Sequence, residues 1–456
     1  MKRAIYMICL AAAALSMASC SGKFFEQYPS NSITEGNFYK TESDFNQGVY
    51  SCYGKIKTGI GWFINELSYR ADENLLESMA VSTQDRYNLD HFQENSSNAL
   101  LESIWNAWYN GIYRCNDVLD HLPSELSPVL AEYKGECLFI RSWYYYNLYV
   151  TFGVVPIVTR VTTPAESKLV PRCTPEEMYE RLSADLSEAA SLLPSSRSRE
   201  KGRVCDIAAW TLLAKAQLVF GRYDEALQSL DNAKSNTNFG LMGSCAQPFD
   251  VKNKLNREII FAACYDKGLD AGHGYWQSSN TGVEADRINP SKPFKALFAE
   301  NDARAELIGY TKISSSVYAM NKWYDTYDAT YTTIVGNDFP LLRYADVELL
   351  YAEALCRKGQ LADACQYLNK TRSRAGLLPF STDSEDAFIR ELADERAREF
   401  CFEGQRWYDL VRLGLAVEHF SSLGYTLDSH NLLMPIPQSQ IEIYNNDKVL
   451  WQNPGF

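Results

Sequence analysis

The chain has 456 residues, 46% of them apolar and 22% charged, a balance that argues for a folded protein in water and against disorder, collagen-like repeats or several membrane spans. A single core stops growing at about 250 to 300 residues, so at least two packed units are expected. The 44 Lys and Arg stand against 57 Asp and Glu, giving −13, and no basic stripe offsets this, which argues against a nucleic-acid partner. The 29 Tyr, 21 Phe and 9 Trp exceed what a core needs and suit stacking on flat ligand faces.

Lys2 and Arg3 precede an apolar run from Ala4 to Met17 that is too short to span a bilayer, and Ala18-Ser19-Cys20 closes it with small residues. This reads as a signal peptide over 1–19. Small residues directly before a cysteine resemble the lipobox of bacterial lipoproteins, so Cys20 is expected to be lipidated and to lead the mature chain. Loss of Lys2 and Arg3 makes that chain two charges more acidic.

Of 12 cysteines, Cys9 leaves with the signal and Cys20 takes lipid. Cys115, Cys137, Cys205, Cys356, Cys365 and Cys401 lie in helical apolar patterns and are expected to be core thiols. The pairing of Cys52, Cys173, Cys245 and Cys264 stays open. The five histidines contain no pair at metal-ligand spacing, so neither a metal nor another cofactor is expected.

Apolar residues recur at helical spacing from Leu100 to Leu122, and a second helix is expected from Pro128 to Phe152, stopped by Gly153 and Pro156. Thr174 and Pro175 open a third that ends at Leu193. Arg203 to Phe220 and Tyr223 to Lys234 form a pair across Gly221-Arg222. That pair repeats. Segments Ala208 to Ala233 and Ala345 to Thr371 share an Ala- and Leu-rich helix, a glycine-led turn and a second helix, as in tetratricopeptide hairpins. Between the repeats, Ser235 to Pro340 is rich in Gly, Ser, Asn, Asp and Tyr, and such excursions from a rigid scaffold usually carry function. The expected fold is mostly α: a tetratricopeptide-like helical-hairpin scaffold with long irregular ligand-binding loops and few short strands.

Several ordered segments resemble the SusD/RagB family of outer-membrane nutrient-binding lipoproteins. After Cys20 come Phe24-Phe25-Glu26 and Pro29, then Trp105 to Asn116, then the aromatic helix Glu136 to Leu148 with its Phe152-Gly153-Val154-Val155-Pro156 tail. Leu342 to Ala354, Asn369, Arg372 to Gly376 and Glu395 to Arg412 follow. Leu433-Met434-Pro435-Ile436-Pro437 and Gln452-Asn453-Pro454-Gly455-Phe456 close the match. The resemblance implies a lipid-anchored protein at the outer face of the outer membrane, partnered by a SusC-like TonB-dependent transporter, which captures a glycan, or in some members a peptide, and performs no chemistry. Ser21, Gly22 and Lys23 depart from the acidic stretch that follows the lipidated cysteine in some surface lipoproteins.

On these patterns the chain divides into the signal over 1–19, an anchor and loop region over 20–99, a helical-hairpin scaffold over 100–234, a loop-rich ligand-binding region over 235–340 and a C-terminal repeat and tail over 341–456. Glu395, Glu399 and Glu403 share a helical face with Arg396, Arg406 and Asp409 nearby. Such carboxylates could serve a glycosidase, but alternating charges at three and four spacing fit a scaffold helix better. Arg343, Asp346, Glu348 and Glu353 read as structural pairs in the same way.

Sugar recognition needs an aromatic face and a few planar polar groups. The candidates are Trp62, Tyr69, Arg70, Asp72 and Tyr87 in the N-terminal part, Tyr275, Trp276 and Gln277 in a Gly/Ser/Asn loop, and Asn321, Lys322, Trp323, Tyr324 and Tyr327 beyond it. Trp105, Trp108, Trp143, Trp210 and Trp407 sit on periodic faces and are assigned to core. Glycan capture is the favoured function. The alternatives are peptide capture, as by a RagB-like subunit, and a tetratricopeptide-like protein scaffold with no small ligand.

Overall fold

A computed structural model describes residues 38–57, 67–74, 84–197, 202–266, 290–312, 318–324 and 336–456. The N-terminal helices are α1 (Glu42–Lys55), α2 (Gln84–Asp90), α3 (Ala99–His121), α4 (Pro128–Phe152), α5 (Pro175–Leu192), α6 (Asp206–Val219) and α7 (Tyr223–Ser235). The C-terminal part carries α8 (Tyr344–Arg357), α9 (Leu361–Arg374), α10 (Glu385–Glu399), α11 (Arg406–Arg412) and α12 (Ala416–Ser422).

Local chemistry sets these ends. The Ser127 hydroxyl accepts the Leu130 amide at 3.3 Å and Pro128 occupies the first turn, so α4 starts where its backbone donors are satisfied. Gly153 ends it at φ 74°, a conformation that a side chain would strain. Thr174 and Glu177 form a reciprocal capping box on α5. One expected start moves. The α6 helix begins at Asp206 rather than Arg203, because the Arg203 guanidinium reaches Glu136 at 2.8 Å across the core instead of entering the helix.

Each helix from α3 to α10 packs on the next, as a stack of antiparallel hairpins does. The repeat is visible in backbone geometry: Gly221 at φ 69° and Gly359 at φ 74° end α6 and α8, and the following amides of Arg222 and Gln360 return to Gln217 and Leu355 at 2.7 and 2.9 Å. The protein is therefore mostly helical and tetratricopeptide-like. Helix α4 is buried almost all round, which explains its aromatic wealth, and Gly111 of α3 lets the Tyr144 ring of α4 lie against the backbone. Trp105, Trp108, Trp143 and Trp407 are core residues, and Trp210 is half-buried against the core.

The described parts of the stretch from Ser235 to Pro340 include buried strand residues. Strand β1 (Ile259–Ala263) pairs antiparallel with β4 (Phe339–Arg343), and every residue of both is buried. A second small hairpin joins β2 (Tyr310–Lys312) to β3 (Tyr318–Met320). The tail folds back on the end of α4: the Met434 amide donates to Thr151 O at 2.8 Å, and Asn453 Nδ2 donates to Phe152 O at 2.9 Å. All ten cysteines among the described residues carry free thiols, and all but Cys264 are buried.

Candidate functional site

The charged motif residues come first because they shape the floor beneath the loops. Arg343 binds Glu258, Glu399 and Glu403 at 2.7, 3.0 and 2.8 Å, and Arg304 binds Asp302, Glu395 and Glu399 at 2.9, 2.7 and 3.2 Å. Arg396 joins Asp346 and Asp409, both at 2.8 Å, and Arg412 joins Glu353 at 2.9 Å. Lys370 holds Glu348 at 2.8 Å. These groups are nearly all sealed from solvent. Burial pushes the Glu399 carboxyl up, but the Arg374, Arg343 and Arg304 guanidiniums outweigh it and hold the group well below the usual carboxylate range. The charge spacing was expected to act within the helix. Among the described residues of this framework, Glu395–Arg398 and Asp409–Arg412 do so at three-residue spacing, Arg398 also reaches Glu391 within α10 and Arg304 pairs locally with Asp302, while the other pairs named are ties between distant segments that a buried charge requires.

The N-terminal candidates are drawn into this framework. Arg70 is fully buried, ion-paired to Glu94, donating to Asn431 O at 2.6 Å and lying 4.3 and 4.9 Å over the Phe92 and Trp407 rings. Asp72 takes both arms of Arg406, at 2.9 and 3.1 Å, and meets His419 Nε2 at 2.7 Å. Both candidates are committed to buried partners, and a guanidinium or carboxylate so engaged is not available to a ligand hydroxyl. Tyr69 is buried as well, with the Arg86 guanidinium 5.9 Å over its ring. Tyr87 is half-buried and stacks on His91 at 3.8 Å between centroids.

Trp323, another candidate, faces inward. It is fully buried, with Phe249 edge-on at 5.5 Å and Phe339 at 5.7 Å, so its large apolar area is consumed by the core. Lys322 turns inward, its ammonium 2.7 Å from Glu403 Oε1 and 4.3 Å over the Phe249 ring. The Asn321 amide is spent on Thr311 Oγ1 at 2.6 Å and Glu306 O at 2.9 Å. Trp62, Tyr275, Trp276, Gln277 and Tyr327 lie outside the described residues.

Tyr324 remains half-exposed and lines a cleft of about 250 Å³ with Ser244, Gln247, Phe249, Asp250 and Asn321. One wall is the short turn Gln247–Phe249, entered through Pro248, and Asn256 Nδ2 pins it by donating to Pro248 O at 3.2 Å and Asn253 O at 3.0 Å. The other wall is the Asn321–Trp323 turn that leaves β3. Burying Trp323 fixes that turn against Phe249 and leaves the next ring, Tyr324, toward the cleft. The result is two half-exposed aromatic rings beside the Ser244 hydroxyl, the Gln247 amide and the Asp250 carboxylate, with the Asn321 amide already engaged by Thr311 and Glu306. Lys322 is tied down beneath them, so its charge is neutralised within the floor. Such a surface can stack on an apolar ring face and hydrogen-bond hydroxyls.

Ser244, Gln247, Phe249 and Asp250 were not among the sequence candidates. Their Gly/Ser/Pro-rich surroundings marked a turn, but no spacing pairs them with residues near 321.

A hairpin scaffold whose irregular excursions form a polar, aromatic cleft defines a helical binding protein. A profile described as the SusD family matches residues 305–456, and one described as "Starch-binding associating with outer membrane" matches residues 30–218. The chain belongs to the SusD family. It is 25% identical to SusD-like protein P2 of Formosa agariphila over 99% of each chain. A SusD superfamily protein of Bacteroides vulgatus has the same fold, with a TM-score of 0.80 at 23% identity over 92% of this chain and 100% of that one. A laminarin-binding SusD-like protein superposes with a TM-score of 0.76 at 25% identity over 92% and 100% of the two chains.

Proposed function

We propose that the protein captures a neutral glycan at the cleft between the Gln247–Phe249 and Asn321–Tyr324 turns. The observation that carries this reading is the pairing of two half-exposed rings, Phe249 and Tyr324, with short neutral polar groups, while the local cation, Lys322, is bound to Glu403. Asp250 is then the charged group left at the rim, and the chain is acidic overall, so a strongly acidic polysaccharide is disfavoured. The outer-membrane description of the matching family supports association with that membrane, and Cys20 is the residue proposed to carry the lipid. In this reading the protein faces the exterior, passes its glycan to a SusC-like TonB-dependent transporter and catalyses nothing.

Binding of neutral oligosaccharides and of peptides to the chain from Ser21 onward, followed by calorimetry on Phe249→Ala and Tyr324→Ala, tests this. The expected result is binding of one oligosaccharide class, weakened about 3- to 10-fold in each folded variant, the range that a stacked ring supplies. Binding of peptides alone would transfer the site to peptide capture. Silence in both libraries would leave a scaffold for protein partners.

A further inference from the structure

Helix α1 turns Tyr50, Tyr53 and Gly54 to one side, and Lys57 follows a turn later. Ile56, the Gly202-Arg203 pair and Ala262-Ala263-Cys264 at the end of β1 complete a slot of about 250 Å³ with them. Among the described residues, the slot shares no lining side chain with the cleft at Phe249 and Tyr324.

Folding alone explains neither of two residues here. Tyr50 is 45% exposed, yet its ring is held in place: the Arg203 guanidinium lies 4.9 Å over it, and Glu136 grips that guanidinium through both carboxylate oxygens, at 2.8 and 3.0 Å. A ring backed on one face by a buried cation offers the other face already oriented, which lowers the entropy cost of stacking on it. Gly54 stands in the last turn of α1, where glycine is weaker than alanine, without the positive φ that would call for it. A methyl group there would meet no described atom within 4 Å, so no close approach requires the glycine either. What the missing side chain provides is room in the slot, on the face shared with Tyr50.

The walls select the occupant. Tyr50 and Tyr53 offer aromatic surface to the C–H face of a pyranose, and the Lys57 ammonium, with three donors, can meet a hydroxyl. Glu136 matches the charge of Arg203, so the slot has no uncompensated guanidinium to favour an acidic sugar.

We infer that this slot is a second binding site for the glycan, stacking a neutral sugar ring on Tyr50. The inference rests on the reading of the protein as one that captures glycan. A polymer long enough to reach both the cleft and the slot is held more tightly than at either alone, because its second contact forms within the same complex.

The test uses the chain from Ser21 onward, with neutral di- and trisaccharides from glucans, mannans, galactans and xylans as probes. Calorimetry should count two equivalents of a bound probe on the wild type and one on Gly54→Leu, whose side chain fills the slot while favouring the helix. Tyr50→Ala should weaken the slot's equivalent about 3- to 10-fold. Phe249→Ala combined with Tyr324→Ala should retain the slot's equivalent, and adding Gly54→Leu should remove it. One equivalent on the wild type, unmoved by Gly54→Leu, would overturn the inference and leave capture at the cleft intact, whereas one equivalent that Gly54→Leu removes would keep the slot and overturn the cleft. No binding of any probe by the wild type would overturn the glycan reading and this inference with it. Melting curves check that each variant folds, and Tyr50→Ala, at an exposed ring, decides the matter if Gly54→Leu does not.

Discussion

Arg406 and Asp72, 334 residues apart in sequence, face each other as a buried bidentate pair, Nε to Oδ1 at 2.9 Å and Nη2 to Oδ2 at 3.1 Å. The pair fastens the segment 67–74 to the C-terminal helical motif. The Asp72 backbone carbonyl also accepts from Ser291 Oγ at 2.6 Å, so one residue links three distant parts of the chain.

Removing Asp72 should therefore cost stability rather than a ligand contact. Asp72→Ala leaves Arg406 buried without its partner, and urea denaturation should show a loss of about 3 to 5 kcal/mol. Burial pushes this carboxyl up, but Arg406 and His419 hold it well below its ordinary value of 3.8. A depressed carboxyl contributes stability above its unfolded pKa and loses it as pH falls further. The variant should accordingly lose less on acidification below about pH 4 than the wild type, and parallel acid curves would refute the assignment.

Glu73, the next residue, behaves in the opposite sense. Burial pushes its carboxyl up to about 8, although the Phe402 amide donates to Oε1 at 2.9 Å. A raised carboxyl favours folding in its neutral form, so the wild type should lose stability between its ordinary value of 4.5 and about 8. Glu73→Gln keeps an acceptor for Phe402 without the charge. Measured from pH 5 to 8, the stability difference should move in the variant's favour by at most about 1.4 kcal/mol per pH unit. A constant difference would remove Glu73 as the titrating group.

Two neighbouring aromatics should separate packing from recognition. Trp323→Ala opens a core site and is expected to lower stability by about 3 to 5 kcal/mol. Tyr324→Ala, at a half-exposed ring, should cost less than about 1 kcal/mol of stability while weakening glycan affinity. Thermal melts paired with calorimetry on the same samples give both numbers. A stable Trp323→Ala protein that fails to bind would return Trp323 to the binding face.

Gly111 offers a test of helix packing. A methyl group there would come within 2.3 Å of the Tyr144 ring, so Gly111→Ala should destabilise by about 1 to 3 kcal/mol or more. On an exposed helix the same change would stabilise by up to about 1 kcal/mol. A rise in melting temperature would show that α3 and α4 do not approach as closely as the structure has them.

Elements whose signals are local were legible in the sequence. The span Pro128 to Phe152 follows from Pro128 at one end, Gly153 at the other and helical periodicity between. The paired glycines Gly221 and Gly359 exposed the repeat because a left-handed residue must end each first helix. The ordered motifs carried the family. Phe249 and Tyr324, by contrast, become neighbours in one cleft only when the Asn321–Trp323 turn packs its indole inward against Phe249 and Phe339. Nothing in the spacing of Asn321-Lys322-Trp323-Tyr324 says which ring goes in and which stays out. The charges of α10 likewise look like an intrahelical ladder, yet they pair mostly with Arg304, Arg343 and Arg374 from elsewhere. Helix ends and periodicity depend on residues three or four positions apart, so sequence alone determined them. The choice between core and cleft depends on which distant surface covers a side chain, and only the tertiary structure decided that.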